Sequence, residues 1–355
     1  MKTLSTTLYR LSETIALKIT VEKAEMNNVD NKEATWKALD TPINGTITTP
    51  TDKQSHPAIV LVAGSGPTDR NWCSPLLLGE NGSGKLLAEM LAKCGFVTLR
   101  YDKLASGPHV KENIPKLIGK ISMQSHLEEL KGAVDTLISE KNVDKDNLFV
   151  LTNSEGAIHA VNYQLQAKSK SFKGLLLTGA PGRAVGELSR SQIYNQIKQI
   201  PNADDLMKPY DDAITQFLSG KPMAMDPSLP DGIKLLLNSL ETAANLPFSR
   251  ELWMYRLPEH FAKINEPTLV LIGKKDIQVD WKIDGELLEK ANVKKKATTF
   301  VYPENANHVL KHENKPQEEL TAQYVSLHYN SSDTVLDEEA VNAILDWLGK
   351  QTKAF

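Results

Sequence analysis

The chain has 355 residues, enough to bury a large core as one big α/β domain or two smaller ones. Hydrophobic residues make up 41% and charged residues 24%, and the formal net charge is -3, so the charge balance gives no case for nucleic acid or an anionic membrane surface. Two cysteines, Cys73 and Cys94, cannot build a disulfide framework, and with no membrane-length apolar span and no apolar leader core the chain reads as cytoplasmic.

From about residue 4 to residue 49, alternating apolar positions and turn signals predict antiparallel strands, with Ile43, Asn44, Gly45 and Thr46 as a tight turn or bulge between two of them. The consecutive β-branched residues Thr46, Ile47, Thr48 and Thr49 argue against a helix there. Residues 57–63 form a continuous apolar run, as in a strand buried on both faces, and it ends in a loop from Gly64 to Arg70. A helical period follows over 84–93, closed by Cys94 and Gly95, and then a strand over 96–101. An amphipathic helix is predicted over 125–139, with Leu127, Leu130, Val134, Leu137 and Ile138 on one side.

Residues 148–151 are apolar and too few for a helix. They run into Thr152, Asn153, Ser154, Glu155 and Gly156, after which the pattern turns helical. Strand, tight turn and helix is the setting that presents a nucleophile: the turn throws Ser154 clear of the sheet beside a helix N-terminus whose unsatisfied N–H groups favour negative charge. Taken alone, a serine there equally well caps a helix. Further buried strands are expected over 173–179 and 267–273, another strand over 297–302, and an amphipathic closing helix over 335–350; Lys294, Lys295 and Lys296 read as a solvated turn. Strands alternating with helices imply a mostly parallel sheet covered on both faces. Between residues 182 and 262 the alternation stops, and helices over 189–199, 203–218 and 231–246 predict a cap over the C-terminal edge of the sheet. The expected layout is therefore an N-terminal core part (1–181), a helical cap (182–262) and a C-terminal core part (263–355).

A serine hydroxyl needs a base to take its proton, and the base needs a third group to orient it. Asp276 lies just past the 267–273 strand, on the sheet edge that carries Ser154, and is the expected acid; Asp280 is the runner-up and Asp284 lies further along. His308, in the polar loop after the next strand, is the expected base, with His312 a weaker candidate. His126 and His159 fall within helices, and His56, His109, His260 and His328 are worse placed. For the oxyanion, backbone N–H donors usually give the largest single stabilisation, about 2.7–4 kcal/mol for one donor. The expected donors are Glu155, next to the nucleophile, and Ser65 in the Gly64–Gly66 turn, with Gly66 the alternate. That loop lacks the Lys and Ser/Thr of a phosphate-binding P-loop, and no cluster has metal-ligand spacing, so no cofactor and no metal are expected.

The segments Ala63 to Arg70, Arg100 to Lys103, Ser154 to Ala157, Thr178 to Arg183, Gly273 to Val279 and Asn307 to Lys311 resemble those of bacterial α/β-hydrolases. They are most similar to the esterase and serine-aminopeptidase-like branch whose oxyanion loop reads His-Gly-Ser-Gly-Pro. The resemblance runs from about Pro57 to Gly349 and implies an α/β-hydrolase fold with Ser154 as nucleophile, His308 as base and Asp276 as acid. The chain departs from it in three places. Ala63 replaces the usual His, a side chain that often braces the oxyanion loop; Thr152 and Asn153 replace Gly-His; and Leu104 and Ala105 replace Arg-Gly. Lower or altered activity is the expectation from these, and none removes a member of the trio.

The expected function is a serine hydrolase, a carboxylesterase for small to medium acyl esters working through an acyl-enzyme, with esters favoured over peptides by the resemblance alone. An aminopeptidase or thioesterase would use the same trio, the aminopeptidase marked by an acidic anchor such as Glu187, Asp204 or Asp205; a non-catalytic binding protein on the same fold is the alternative from another class. The expected partner is a small-molecule ester, and a homo-oligomer stays open.

Overall fold

The structure, a computed structural model, describes residues 28–167, 170–199, 201–292 and 297–352. The strand pattern expected before residue 28 and the basic run 294–296 lie outside the described residues.

Among the described residues eight strands form one sheet: β1 (Val29–Ala38), β2 (Thr41–Pro50), β3 (His56–Val62), β4 (Val97–Tyr101), β5 (Val143–Asn153), β6 (Gly174–Thr178), β7 (Thr268–Leu271) and β8 (Thr298–Val301). Their order is β1-β2-β4-β3-β5-β6-β7-β8. β1 and β2 pair antiparallel, as do β2 and β4, and every later pair is parallel. The expected antiparallel entry and parallel body are both present.

One expectation is overturned. Ile43 to Thr46 is no turn but the middle of β2, with Asn44 opposite Thr35 and Gly45 opposite Ala34. The hairpin turns at Leu39 and Asp40, both at positive φ (49° and 56°), the backbone of a two-residue hairpin loop. Gly45 is glycine because another backbone comes close: a Cβ there would lie 2.9 Å from the Arg100 carbonyl oxygen and 3.1 Å from the Trp36 ring.

The helices are α1 (Ser83–Lys93), α2 (Val110–Leu117), α3 (Met123–Ile138), α4 (Gly156–Gln166), α5 (Val185–Ile197), α6 (Ala203–Leu218), α7 (Asp231–Leu240), α8 (Phe248–Trp253), α9 (Leu257–Phe261), α10 (Ile283–Ala291), α11 (Ala322–His328) and α12 (Glu338–Thr352). α3 begins at Met123 because Ser122 and Ser125 cap each other's backbone N–H groups.

Period-two alternation sorts the central strands onto two faces. Ala58, Val60 and Val62 of β3 join a core with α3 and α4, while Ile59 and Leu61 join one with α1 and α12. Phe149 and Leu151 share the second face, Leu148 and Val150 the first. Each such side chain contributes about 1.5–3 kcal/mol on burial, which fixes the sheet as the frame for the loops at its C-terminal edge. Between β6 and β7, α5, α6 and α7 close around their own apolar cluster, including Met207, Tyr210, Phe217 and Leu237, joined by Trp253 of α8.

Candidate active site

β5 ends at Asn153 and α4 begins at Gly156, leaving Ser154 and Glu155 to make the turn. Ser154 sits at φ 54°, left-handed backbone that a non-glycine residue holds at a cost of about 1–3 kcal/mol. The surroundings enforce it. Its N–H donates to the Thr178 carbonyl at the end of β6 (2.8 Å), and its carbonyl accepts from the Ala157 N–H at 3.0 Å. Gly156 presses against β3, where a Cβ would stand 2.5 Å from the Val62 carbonyl oxygen. Thr152, one of the departures from the resemblance, lies fully buried in the sheet with its hydroxyl on the Leu176 carbonyl at 3.2 Å.

Asp276 follows β7 and is 1% exposed. Its Oδ1 accepts the N–H groups of Gln278 (2.7 Å) and Val279 (2.9 Å), and its Oδ2 accepts from His308 Nδ1 at 2.7 Å. That bond assigns the Nδ1 proton to His308 and leaves Nε2 as the ring's basic nitrogen. Asn307 shapes the His308 loop by accepting from Val309 and Lys311 N–H (3.1 and 3.0 Å). The His308 ring lies over Gly179, at φ 55°, where a Cβ would come within 3.1 Å of Cε1. Gly179 directly follows the carbonyl that holds Ser154, so Ser154 and His308 are brought to one end of β6. Asn153 adds a direct tie, its side-chain amide donating to the His308 carbonyl at 2.8 Å.

The runners-up are otherwise engaged. Asp280 caps α10 by accepting from Lys282 and Ile283 N–H, and buried Asp284 holds Arg183 at 2.7 Å. His312 pairs with Asp337 at 2.9 Å. His126 and His159 lie buried with ring centroids 4.6 Å apart, and His56, His109, His260 and His328 are held by local partners.

Across from the turn, Gly64 packs so closely that a Cβ would fall 3.2 Å from that of Ser154, while Ser65 and Gly66 are exposed. Sequence reasoning did not single out what holds this loop. Arg70 clamps Asp102 at the end of β4 through its Nε (3.0 Å) and Nη2 (2.8 Å), and its N–H donates to Asp102 Oδ1 at 2.9 Å. Lys103, buried, donates to the Gly64 carbonyl at 2.5 Å and lies 3.3 Å from Glu155 Oε1. Burial pushes the Glu155 carboxyl up, but the Lys103 charge and a hydrogen bond from His159 (3.0 Å) outweigh it and hold it well below the usual carboxylate range. An acidic signal at Glu155 and a lysine after a strand were visible in the sequence; their meeting was not.

A cavity of about 390 Å³ opens in the helical segment between Glu187, Arg190, Tyr210, Asp211, Trp253 and Arg256, and neither Ser154, Asp276 nor His308 lines it. Glu187 there is paired with Arg256 (2.5 Å), and Asp204 and Asp205 sit in the first turn of α6. Among the described residues no three His, Cys, Asp or Glu side chains gather as metal ligands, and no helix is long and apolar enough to cross a membrane.

No family model matches the chain. A stretch of 149 residues is 29% identical to Esterase EstD of Thermotoga maritima; it covers 42% of this chain and 33% of that protein, so the match spans a third of the relative's length. Among solved structures, alpha/beta hydrolase GrgF from Penicillium superposes with a TM-score of 0.54 at 14% identity, over 91% of this chain and 99% of its own. Est1E from Butyrivibrio proteoclasticus, solved with ferulic acid, superposes with a TM-score of 0.52 at 15% identity, over 88% and 97%. With a mostly parallel eight-stranded sheet flanked by helices and these neighbours, the chain has the α/β-hydrolase fold.

Proposed function

We propose that the protein is a serine hydrolase acting on carboxylic esters of small to medium acyl groups. The observation that carries it is Ser154, held at positive φ between β5 and α4, tied through Asn153 and β6 to a His308–Asp276 pair at 2.7 Å. Its fold neighbours and the partial match to an esterase agree with that reading.

In this mechanism Ser154 Oγ attacks the ester carbonyl while His308 Nε2 takes its proton. Asp276 fixes the ring's tautomer and stabilises the imidazolium. The N–H groups of Glu155 and Ser65 receive the oxyanion. Collapse breaks the C–O bond, His308 returns the proton to the leaving alcohol, and a water deprotonated by His308 then releases the acyl group as a carboxylic acid.

We place a cap at 182–262, between core parts 1–181 and 263–355. Its support is that Gln192 of α5 donates to the Gln278 carbonyl in the acid's loop (2.9 Å), and that Arg183 at its root pairs with Asp284. The pairing of Glu187 with Arg256 disfavours it as an anchor for a substrate amine, which ranks esters above aminoacyl amides. The test combines a fluorophosphonate probe with p-nitrophenyl esters of graded chain length and aminoacyl anilides. Labelling and ester turnover that both vanish in Ser154→Ala are expected. An intact chain mass unchanged after long exposure, with no ester turnover, would replace this reading with a binding protein on a hydrolase fold.

A further inference from the structure

Lys103 has no part in the steps above, yet it is a buried cation, 6% exposed, placed between the two segments that carry the oxyanion donors. Its Nζ donates to the carbonyl of Gly64 at 2.5 Å and faces the carboxylate of Glu155 at 3.3 Å. The Gly64 carbonyl and the Ser65 N–H belong to one peptide unit. A trans peptide is planar, with its C=O and N–H pointing in opposite directions, so fixing one fixes the other.

We propose that Lys103 is a positioning residue for the oxyanion site: by gripping the Gly64 carbonyl it aims the Ser65 N–H, and by pairing with Glu155 it locks that loop to the residue after the nucleophile. The inference rests on the reading of Ser154 as the nucleophile. Three further contacts support it. Arg70 clamps the far end of the same loop to Asp102, the neighbour of Lys103, so both ends are held from the end of β4. Thr68 donates to the Ser65 carbonyl at 2.8 Å, which leaves the 64–65 peptide as the link that depends on Lys103. Glu129 accepts the N–H of Leu104, fixing the backbone that carries the lysine. A charged donor on the carbonyl also polarises the peptide and strengthens its N–H toward an anion.

The experiment compares wild type, Lys103→Met and Lys103→Met combined with Glu155→Gln. The double variant removes the uncompensated buried carboxylate that would otherwise cost the single variant its fold. Readouts are kcat and KM on a p-nitrophenyl ester, and inhibition by a trifluoromethyl ketone, whose serine adduct carries an oxyanion, beside the matching alcohol, whose binding needs none. For the folded double variant, kcat should fall about 10- to 100-fold, less than the ~10²–10³ that deleting a donor costs, with KM and alcohol binding within about threefold. Ketone affinity should fall by the factor lost from kcat, which a merely structural role would not produce. Ketone affinity kept within about threefold of wild type, in either variant, overturns the role of Lys103 while leaving the nucleophile intact. Failure of both variants to fold while Lys103→Arg folds and keeps wild-type ketone affinity would assign the lysine to stability alone, and failure of all three to fold would do the same. A wild-type chain that neither turns over esters nor takes a fluorophosphonate overturns both readings.

Discussion

The side-chain amide of Asn153 donates to the backbone carbonyl of His308 at 2.8 Å, with both residues buried. The residue before the proposed nucleophile thus holds the loop of the proposed base, and a departure from the pattern the sequence resembles becomes a structural strut. In Asn153→Ala the His308 carbonyl loses its partner, which costs about 1–3 kcal/mol. The loosened base should lower kcat about 10- to 100-fold with little change in KM. Urea unfolding and ester kinetics on the same sample check this, and a variant that loses stability but keeps wild-type kcat would show that the strut does not reach the chemistry.

Asp276→Asn should be far more damaging to turnover than to folding. Two backbone N–H groups, from Gln278 and Val279, require an oxygen at the Oδ1 position. The amide must then turn its NH2 toward His308, which forces the ring's proton onto Nε2, the atom proposed to accept from Ser154. A loss of about 10⁴ in kcat is expected at neutral pH, with a near-native thermal midpoint. A loss below tenfold would mean that another carboxylate orients the ring.

The sheet and the order of Ser154, Asp276 and His308 were legible because each ends or follows a short apolar run that only a buried strand explains. What stayed hidden was made by close approach in space. Gly45 reads as a turn residue beside Asn44, and only the neighbouring carbonyl of Arg100 shows why a strand needs it. α2 carries Pro115 inside it and exposes most of its surface, so neither period nor propensity announces it. Lys103, Glu155 and His159 are polar residues that a sequence places on surfaces, and the fold buries them against one another with the Glu155 carboxylate as the shared partner.

Two glycines in the site make a contrasting pair. A Cβ on Gly156 would meet the Val62 and Ala63 carbonyl oxygens at 2.5 and 3.0 Å, and those atoms belong to the central strand and its end. Gly156→Ala should therefore cost about 1–3 kcal/mol or more as overpacking that no side chain can relieve. Gly66, at φ 74°, has nothing within 4 Å of its Cβ position, so Gly66→Ala should cost only its backbone strain, about 1–2 kcal/mol. Thermal midpoints rank the two. If Gly66→Ala proved the more destabilising, the close approach of α4 to β3 would be wrong.

Acid sensitivity follows from the buried pair Glu155 and His159. Burial disfavours the charged form of His159 and, with the nearby His126 and Lys103, outweighs the Glu155 carboxylate, so its pKa falls below the ordinary 6.5. For Glu155, burial acts upward but the Lys103 charge and the His159 hydrogen bond prevail, leaving its pKa below 4.5. Both folded values are depressed, so between the folded and unfolded pKa the unfolded chain binds the extra proton and stability falls as pH falls. The loss from His159 begins near pH 6.5 and that from Glu155 near pH 4.5, each with a limiting slope of about 1.4 kcal/mol per pH unit. His159→Gln keeps a donor for the Glu155 carboxylate but cannot titrate. Urea midpoints measured from pH 7 to pH 5 should decline in wild type and decline less in His159→Gln. Parallel curves for the two proteins would mean that His159 takes up its proton without cost in the folded state, and that the ring is not held neutral between α3 and α4.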